Sequence, residues 1–156
     1  MRLFTIGHSN GSVEQLLALL SQHEVKVLVD VRTAPYSRYC PQFNKAKLQR
    51  AVETAGLRYC FAGQTLGGKP DDDGLQKEDG TPDYDKIAAS ECYQEGLRWL
   101  EALAAEARVA IMCSEADPAK CHREKLIARS LRARGIDVVH IRPDGSAAPS
   151  QATLFE

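Results

Sequence analysis

The chain is 156 residues long, with a formal net charge of −1, 26% charged residues and five cysteines. The length suits one domain with a sizeable core, the near-neutral charge excludes the broad basic field of a self-sufficient nucleic-acid binder, and an odd cysteine count without framework spacing excludes a disulfide scaffold. No run reaches transmembrane length, and the opening Met1-Arg-Leu-Phe-Thr leads into a strand-like run rather than a signal peptide, so a reducing, cytoplasmic setting away from membranes is expected.

Leu3 to Ile6 is a short apolar run of strand length that ends in Gly7-His8-Ser9-Asn10-Gly11, a cluster that continues neither regular element. Ser12 and Gln15 make a capping box, followed by Val13, Leu16, Leu17 and Leu20 at helical spacing. Val25 to Val29 predicts the second strand, ending at Asp30 and Arg32. Thr33 to Phe43, with two prolines and three aromatics, predicts a structured loop. Asn44 caps the next helix, which is buried through Leu48, Ala51, Val52 and Ala55 and stopped by Gly56. Leu57 to Phe61 predicts a third strand. Gly63 to Asp83 lacks periodicity and has the length of a lid or binding loop, with Leu66-Gly67-Gly68-Lys69-Pro70 its most constrained part. Tyr84 to Ala107 predicts one long helix with Tyr93, Leu97, Leu100 and Ala104 on its buried face. Val109 to Met112 is a fourth strand, ended by Cys113. Asp117 and Pro118 start a helix whose Leu126, Ile127 and Leu131 face inward and which stops at Gly135, and Ile136 to Ile141 is the last strand.

Strands alternating with helices across short connections predict an α/β three-layer sandwich, with a mainly parallel central sheet and helices on both faces, spanning residues 1–143 as a single domain. In such sheets ligands bind outside the carboxyl ends of the strands. His8 and Ser9 after the first strand, Asp30 and Arg32 after the second, and Cys113 and Glu115 after the fourth are expected to share one concavity there. Cys121, His122 and Arg123 are expected in the first turn of the following helix, where unpaired N–H groups attract anions.

Thr5-Ile6-Gly7-His8-Ser9-Asn10, Asp30-Val31-Arg32-Thr-Ala-Pro35-Tyr-Ser37, Leu66-Gly67-Gly68, and Cys113-Ser-Glu115 followed by Cys121-His122-Arg123, in this order, resemble the family known as domain of unknown function 488. The resemblance implies a small cytoplasmic α/β domain. It brings no settled reaction with it.

Cys113 is a candidate nucleophile, since a strand-end thiol near His122, Arg123 and a helix N-terminus is in a setting that lowers a thiol pKa, while Glu115 acts against it. The alternative is a buried cysteine serving as a small hydrophobe. Cys113, Glu115, His8 and Asp30 are the candidate catalytic groups; Arg32, Arg123, Ser9, His122, Tyr36, Gly67 and Gly68 are the candidate substrate binders. The competing role for Asp30 is to anchor an arginine and orient a loop. Tyr36, Tyr39 and Phe43, interleaved with Arg38, Lys45, Lys47 and Arg50, are of the types that stack on unpaired bases and hold phosphates, or else pack as core beside a solvated face. No cofactor and no metal are expected. Cys113, Cys121, His122 and His8 are acceptable zinc ligands, but C-x7-C-H is not a zinc spacing, and it is equally far from the C-x-x-C of a redox couple.

The expected function is an enzyme of open reaction type acting on a phosphate-bearing substrate, a nucleotide or nucleic acid, in DNA repair or modification. The alternative is a non-catalytic adaptor or sensor that binds an anionic ligand or a protein partner through the same pocket. Residues 144–156 read as a flexible tail. Its end, Gln151-Ala-Thr-Leu154-Phe155, resembles the short peptide by which bacterial DNA polymerases and repair proteins bind the sliding clamp, with Leu154 and Phe155 as apolar anchors and Gln151 as the orienting amide. Docking of Leu154 and Phe155 on the domain's own surface is the other expectation for that segment.

Overall fold

In a computed structural model of the protein, which describes residues 1–151, six strands form one sheet: β1 (Arg2–Gly7), β2 (Val27–Asp30), β3 (Arg58–Phe61), β4 (Val109–Cys113), β5 (Asp137–Ile141) and β6 (Ala147–Pro149). Their spatial order is β3-β2-β4-β1-β5-β6, with the first five parallel and β6 antiparallel to β5. Helices α1 (Val13–Gln22) and α2 (Lys45–Thr54) cover one face. Helices α3 (Gly63–Leu66), α4 (Tyr84–Ala89), α5 (Glu91–Glu106) and α6 (Arg129–Ala133) cover the other, which gives the three-layer α/β architecture expected of the sequence.

Side-chain alternation along the strands divides the core in two, and the same parity later divides the polar residues. In β4, Val109, Ile111 and Cys113 enter the core beneath α5 and α6, while Ala110 and Met112 enter the one beneath α1 and α2. In β1, Leu3 belongs to the first core, and Phe4 and Ile6 to the second. Helix boundaries follow the local signals closely. The Ser12–Gln15 capping box closes with both hydrogen bonds, at 3.1 and 3.0 Å, and Gly56 and Gly135 adopt φ of +84° and +79° just past α2 and α6.

Four segments differ from expectation. The single helix expected over Tyr84 to Ala107 is divided at Ser90, whose backbone is extended and whose hydroxyl accepts from the Tyr93 N–H to cap α5. The aperiodic stretch 63–83 is ordered by α3, by a 3-10 turn at Asp73–Leu75 and by a bridge between Gln76 and Pro82. Asp117 and Pro118 start only a 3-10 turn, Pro118–Lys120; Cys121 is extended at φ −135° and ψ 155°, and the chain re-enters a helix through a π-wound segment, Arg123–Ala128, that leads into α6. Residues 144–150, expected as a linker, form a turn and then β6, which covers the open edge of β5 and carries the domain to Ser150. Gln151 is exposed, and Leu154 and Phe155, the anchors of the clamp-like peptide, lie outside the described residues. Among the described residues no helix is long and apolar enough to cross a membrane.

Gly7 ends β1 directly beneath the loop that follows β4, and a Cβ there would overlap the Glu115 carbonyl oxygen. Gly7→Ala is expected to destabilise the fold by about 2–4 kcal/mol in chemical denaturation, because backbone must move. Gly56→Ala, where a Cβ meets nothing and only the positive φ is penalised, is expected to cost about 1 kcal/mol.

Candidate active site

The carboxyl edge of the sheet carries two polar clusters on opposite faces. On the face beneath α1 and α2, the fully buried Asp30 carboxylate accepts from Arg32 Nε at 2.9 Å, Arg32 Nη2 at 2.8 Å, the Arg32 backbone N–H at 3.1 Å and the Tyr59 hydroxyl at 2.6 Å. Burial, and then the neighbouring Asp30 carboxylate, push the Tyr59 phenol far above its usual range, so the hydroxyl stays a donor. A carboxylate saturated in this way has no capacity left for acid–base work. Asp30 is an anchor rather than a catalytic group. It aims Arg32, whose Nη2 also donates to the Phe43 carbonyl at 2.8 Å and so pins the loop between β2 and α2.

His8 completes that cluster. Its ring stacks on Phe43 with centroids 4.4 Å apart, its Nδ1 lies 2.6 Å from the Ser9 carbonyl and its Nε2 3.4 Å from Arg32 Nη1. A carbonyl only accepts, so Nδ1 carries the hydrogen and Nε2 is the lone-pair side. Burial lowers the His8 pKa, the Ser9 hydrogen bond opposes this, and the ring is held neutral. Ser9, at φ +52°, turns the chain away with its N–H on the Ser114 carbonyl at 2.9 Å. His8 and Ser9 border a cleft of about 400 Å³ with Gln15, Gln22 and Pro143, which Arg32, Cys113 and Arg123 do not line.

The opposite face holds the thiols. Gly7 of β1 is in register with Cys113 of β4, so the Cys113 side chain lies on the face that His8, one residue on, does not share. The expected single concavity for His8, Asp30, Arg32, Cys113 and Glu115 is thus split by the sheet itself. Cys113 Sγ accepts from Arg123 Nε at 3.0 Å and donates to the Glu115 carbonyl at 3.6 Å. Cys121 Sγ faces His122 Nδ1 at 3.5 Å, and His122 Nε2 donates to the Val31 carbonyl at 3.1 Å, which leaves Nδ1 free to exchange a proton with the thiol. A thiol, a base within reach and a third group orienting that base is the general arrangement of an activated nucleophile.

Arg123 explains the electrostatics. Its guanidinium is fully buried and donates to Cys113 Sγ, to Thr5 Oγ1 at 2.9 Å, and to the Glu115 and Ala116 carbonyls at 2.7 and 3.2 Å. No carboxylate among the described residues pairs with it. Instead of an anion binder facing a pocket, Arg123 is an internal cation held by a sulfur, a hydroxyl and two carbonyls. The neighbouring Cys121, and then burial, push the Cys113 thiol up, while Cys113 takes Cys121 well below an ordinary thiol, against burial and with help from His122. Cys121 is half-buried and Cys113 is buried, so Cys121 is the more accessible sulfur.

The remaining expected site residues have other tasks. The Glu115 side chain is exposed and accepts from the Asp117 N–H at 3.5 Å, so it exerts no hold on Cys113; the residue serves Arg123 through its carbonyl. Gly68 makes room for His122, whose Cγ a Cβ would meet at 2.6 Å, and Gly67 makes room for Thr33 and the Gly63 carbonyl, so both glycines support the site by close packing. Tyr36 and Tyr39 are 67% and 89% exposed, whereas Phe43 is fully buried. Not foreseen as a nucleophile was Cys121, and not foreseen at all was the chain behind Arg123: Thr5 Oγ1 donates to His140 Nδ1 at 2.6 Å, and His140 Nε2 donates to Glu124 Oε2 at 2.6 Å. Among the described residues no group of three or more His, Cys, Asp or Glu is gathered to hold a metal ion.

These features define a mainly parallel α/β protein with two cysteines, a histidine and a buried arginine at the carboxyl edge of its sheet. Its sequence matches the family described as domain of unknown function DUF488 over residues 12–130, and the chain belongs to that family. The matched segment contains Asp30, Arg32, Gly67, Gly68 and the whole thiol cluster from Cys113 to Arg123, but not Thr5 or His8. None of the curated proteins and none of the solved structures matches the chain.

A His8 pKa held below 6.5 means that the unfolded chain takes up the proton first as pH falls. The His8 contribution is therefore complete above that value and is lost as pH drops below it. Replacing His8 with Asn is expected to flatten the acid limb of stability between about pH 7 and about pH 5 in denaturant titrations. An equally steep acid limb in both proteins would contradict a neutral His8.

Proposed function

We propose that this protein is an enzyme that uses the Cys121 thiolate as its nucleophile, with His122 as the proton-exchange partner, on a phosphate-bearing substrate such as a nucleotide or nucleic acid. The observation that carries the proposal is the half-buried Cys121 sulfur facing His122 Nδ1 at 3.5 Å, with His122 Nε2 fixed on the Val31 carbonyl, a thiol beside an oriented base. In this scheme Arg123 and Cys113 are positioning groups. The substrate class is supported by the loop that Asp30 and Arg32 brace: residues 31–52 contain no acidic side chain, and Tyr36, Arg38 and Tyr39 are exposed on it. Ser37 holds that loop in shape, accepting from the Tyr39 and Cys40 N–H groups and donating its own N–H to Asn44 Oδ1 at 2.7 Å. A clamp-bound tail through Gln151, Leu154 and Phe155 would raise the local concentration of DNA, offsetting the weak net field of the domain.

Iodoacetamide labelling followed by peptide mapping tests the nucleophile. Cys121 is expected to label fastest, at a rate nearly flat between about pH 6 and about pH 8, where free cysteine rises about tenfold per pH unit. Labelling of Cys121 that climbs in parallel with free cysteine would contradict the proposal. For the substrate class, Tyr36→Ala/Tyr39→Ala is expected to weaken binding of a short single-stranded oligonucleotide by about tenfold or more in fluorescence anisotropy, and unchanged binding would remove that support.

A further inference from the structure

We infer that the cleft bordered by His8 and Ser9 binds an unpaired nucleobase of a single strand, an inference that rests on the phosphate-bearing substrate proposed above and names the part of it held on this face. The cleft encloses about 400 Å³ between the loop after β1 and the exposed side of α1, within the range of about 300–1,000 Å³ of small-ligand sites. Its lining is uncharged. No Asp, Glu, Lys or Arg borders it, and its one titratable group, His8, is turned with Nδ1 on the Ser9 carbonyl and its ring against Phe43. The start of α1 offers little to an anion, because the capping box occupies the Gln15 and Ser12 N–H groups and the Glu14 carboxylate stands in the first turn.

The cleft presents instead an apolar wall and oriented amides. Leu16, Ala18, Leu19 and Pro143 supply the wall. Gln22 Nε2 and His23 Nε2 both bond the Gly145 carbonyl, at 3.1 and 2.9 Å, and so tie the turn that carries Pro143 to α1. Gln15 accepts the Ser12 N–H through Oε1 and keeps its Nε2 hydrogens, while Gln22 donates through Nε2 and keeps its Oε1 lone pairs. Seven residues apart, the two amides lie on one face of the helix about 10 Å apart along its axis, a spacing that spans a base and its sugar.

The charged part of the ligand has its place next to the cleft. Gln42 Nε2 donates to the Gly11 carbonyl at 2.8 Å and Phe43 stacks on His8, so the rim of the cleft is joined to the segment 31–52, which exposes Arg38, Lys47 and Arg50 and has no acidic side chain. An uncharged cleft beside an acid-free cationic segment is the division that a nucleotide strand needs, with a base in one and phosphates along the other. Cys121 does not line the cleft, so the base held here anchors the strand and is not the group that reacts.

The test uses the full-length protein, as wild type and as Ala18→Trp, whose new side chain would fill the cleft from an exposed position of α1. Nuclear magnetic resonance spectra of the ¹⁵N-labelled wild type are recorded with each deoxynucleoside in turn, which carries a base and no phosphate, and fluorescence anisotropy compares a short single-stranded oligonucleotide with its abasic counterpart. At least one nucleoside is expected to shift the Gln15 side-chain amide together with backbone amides between residues 9 and 22. Ala18→Trp is expected to weaken binding of the oligonucleotide about tenfold and to leave binding of the abasic strand unchanged. No such shifts with any nucleoside, together with equal binding of the oligonucleotide by the two proteins, would overturn the base site and leave the substrate class standing. No binding of the nucleosides or of the oligonucleotide by wild type would overturn both.

Discussion

A guanidinium buried without a carboxylate is the constraint on which the carboxyl edge of this sheet is built. Leaving such a charge uncompensated costs about 3–5 kcal/mol, a large part of the total stability of a domain this size. The fold meets the cost in two ways. Carbonyls of Glu115 and Ala116 turn inward over Gly7 to accept from Arg123, which is why Gly7 has no room for a side chain. Thr5 Oγ1 and Cys113 Sγ then accept the remaining hydrogen bonds, and a loop conformation and a glycine both follow from one cation.

The chain behind that cation reaches the far edge of the sheet. Arg123 leans on Thr5 in β1, Thr5 on His140 in β5, and His140 on Glu124, which also accepts from Ser150 at 2.7 Å just past β6. Burial alone would raise the Glu124 carboxyl, but its hydrogen bonds from His140 and Ser150 hold it below its usual value, so it remains an acceptor. The last strand thus does more than cover an edge, since it closes the polar chain that fixes the reactive cluster. On the other face, Asp30 plays the corresponding part for Arg32 and the Tyr36–Tyr39 loop.

Most of the fold was legible because its determinants are local: the buried runs of β1, β2 and β4, the Ser12 capping box, and the glycines that end α2 and α6. The arrangement of the site was not, because it depends on register. Placing His8 and Cys113 at the same edge follows from the end of each strand, but placing them on the same or opposite faces requires the pairing of Gly7 with Cys113, and a one-residue slip would reverse the answer. The same holds for Cys121. A helix begun at Pro118 would point Cys121 and His122 about 100° apart. The observed extension at Cys121 is imposed from outside, by the His122 bond to the Val31 carbonyl and by the space left at Gly68.

The central claim is that Cys121 carries a thiolate at neutral pH, with His122 Nδ1 at 3.5 Å as its proton-exchange partner. Thiolate absorbance in the ultraviolet, recorded at neutral pH on native wild type and on Cys121→Ser, measures it directly. The account predicts a thiolate signal in wild type that disappears in the variant and persists in wild type well below the ordinary thiol range as pH is lowered. Equal absorbance in the two proteins at neutral pH would contradict it.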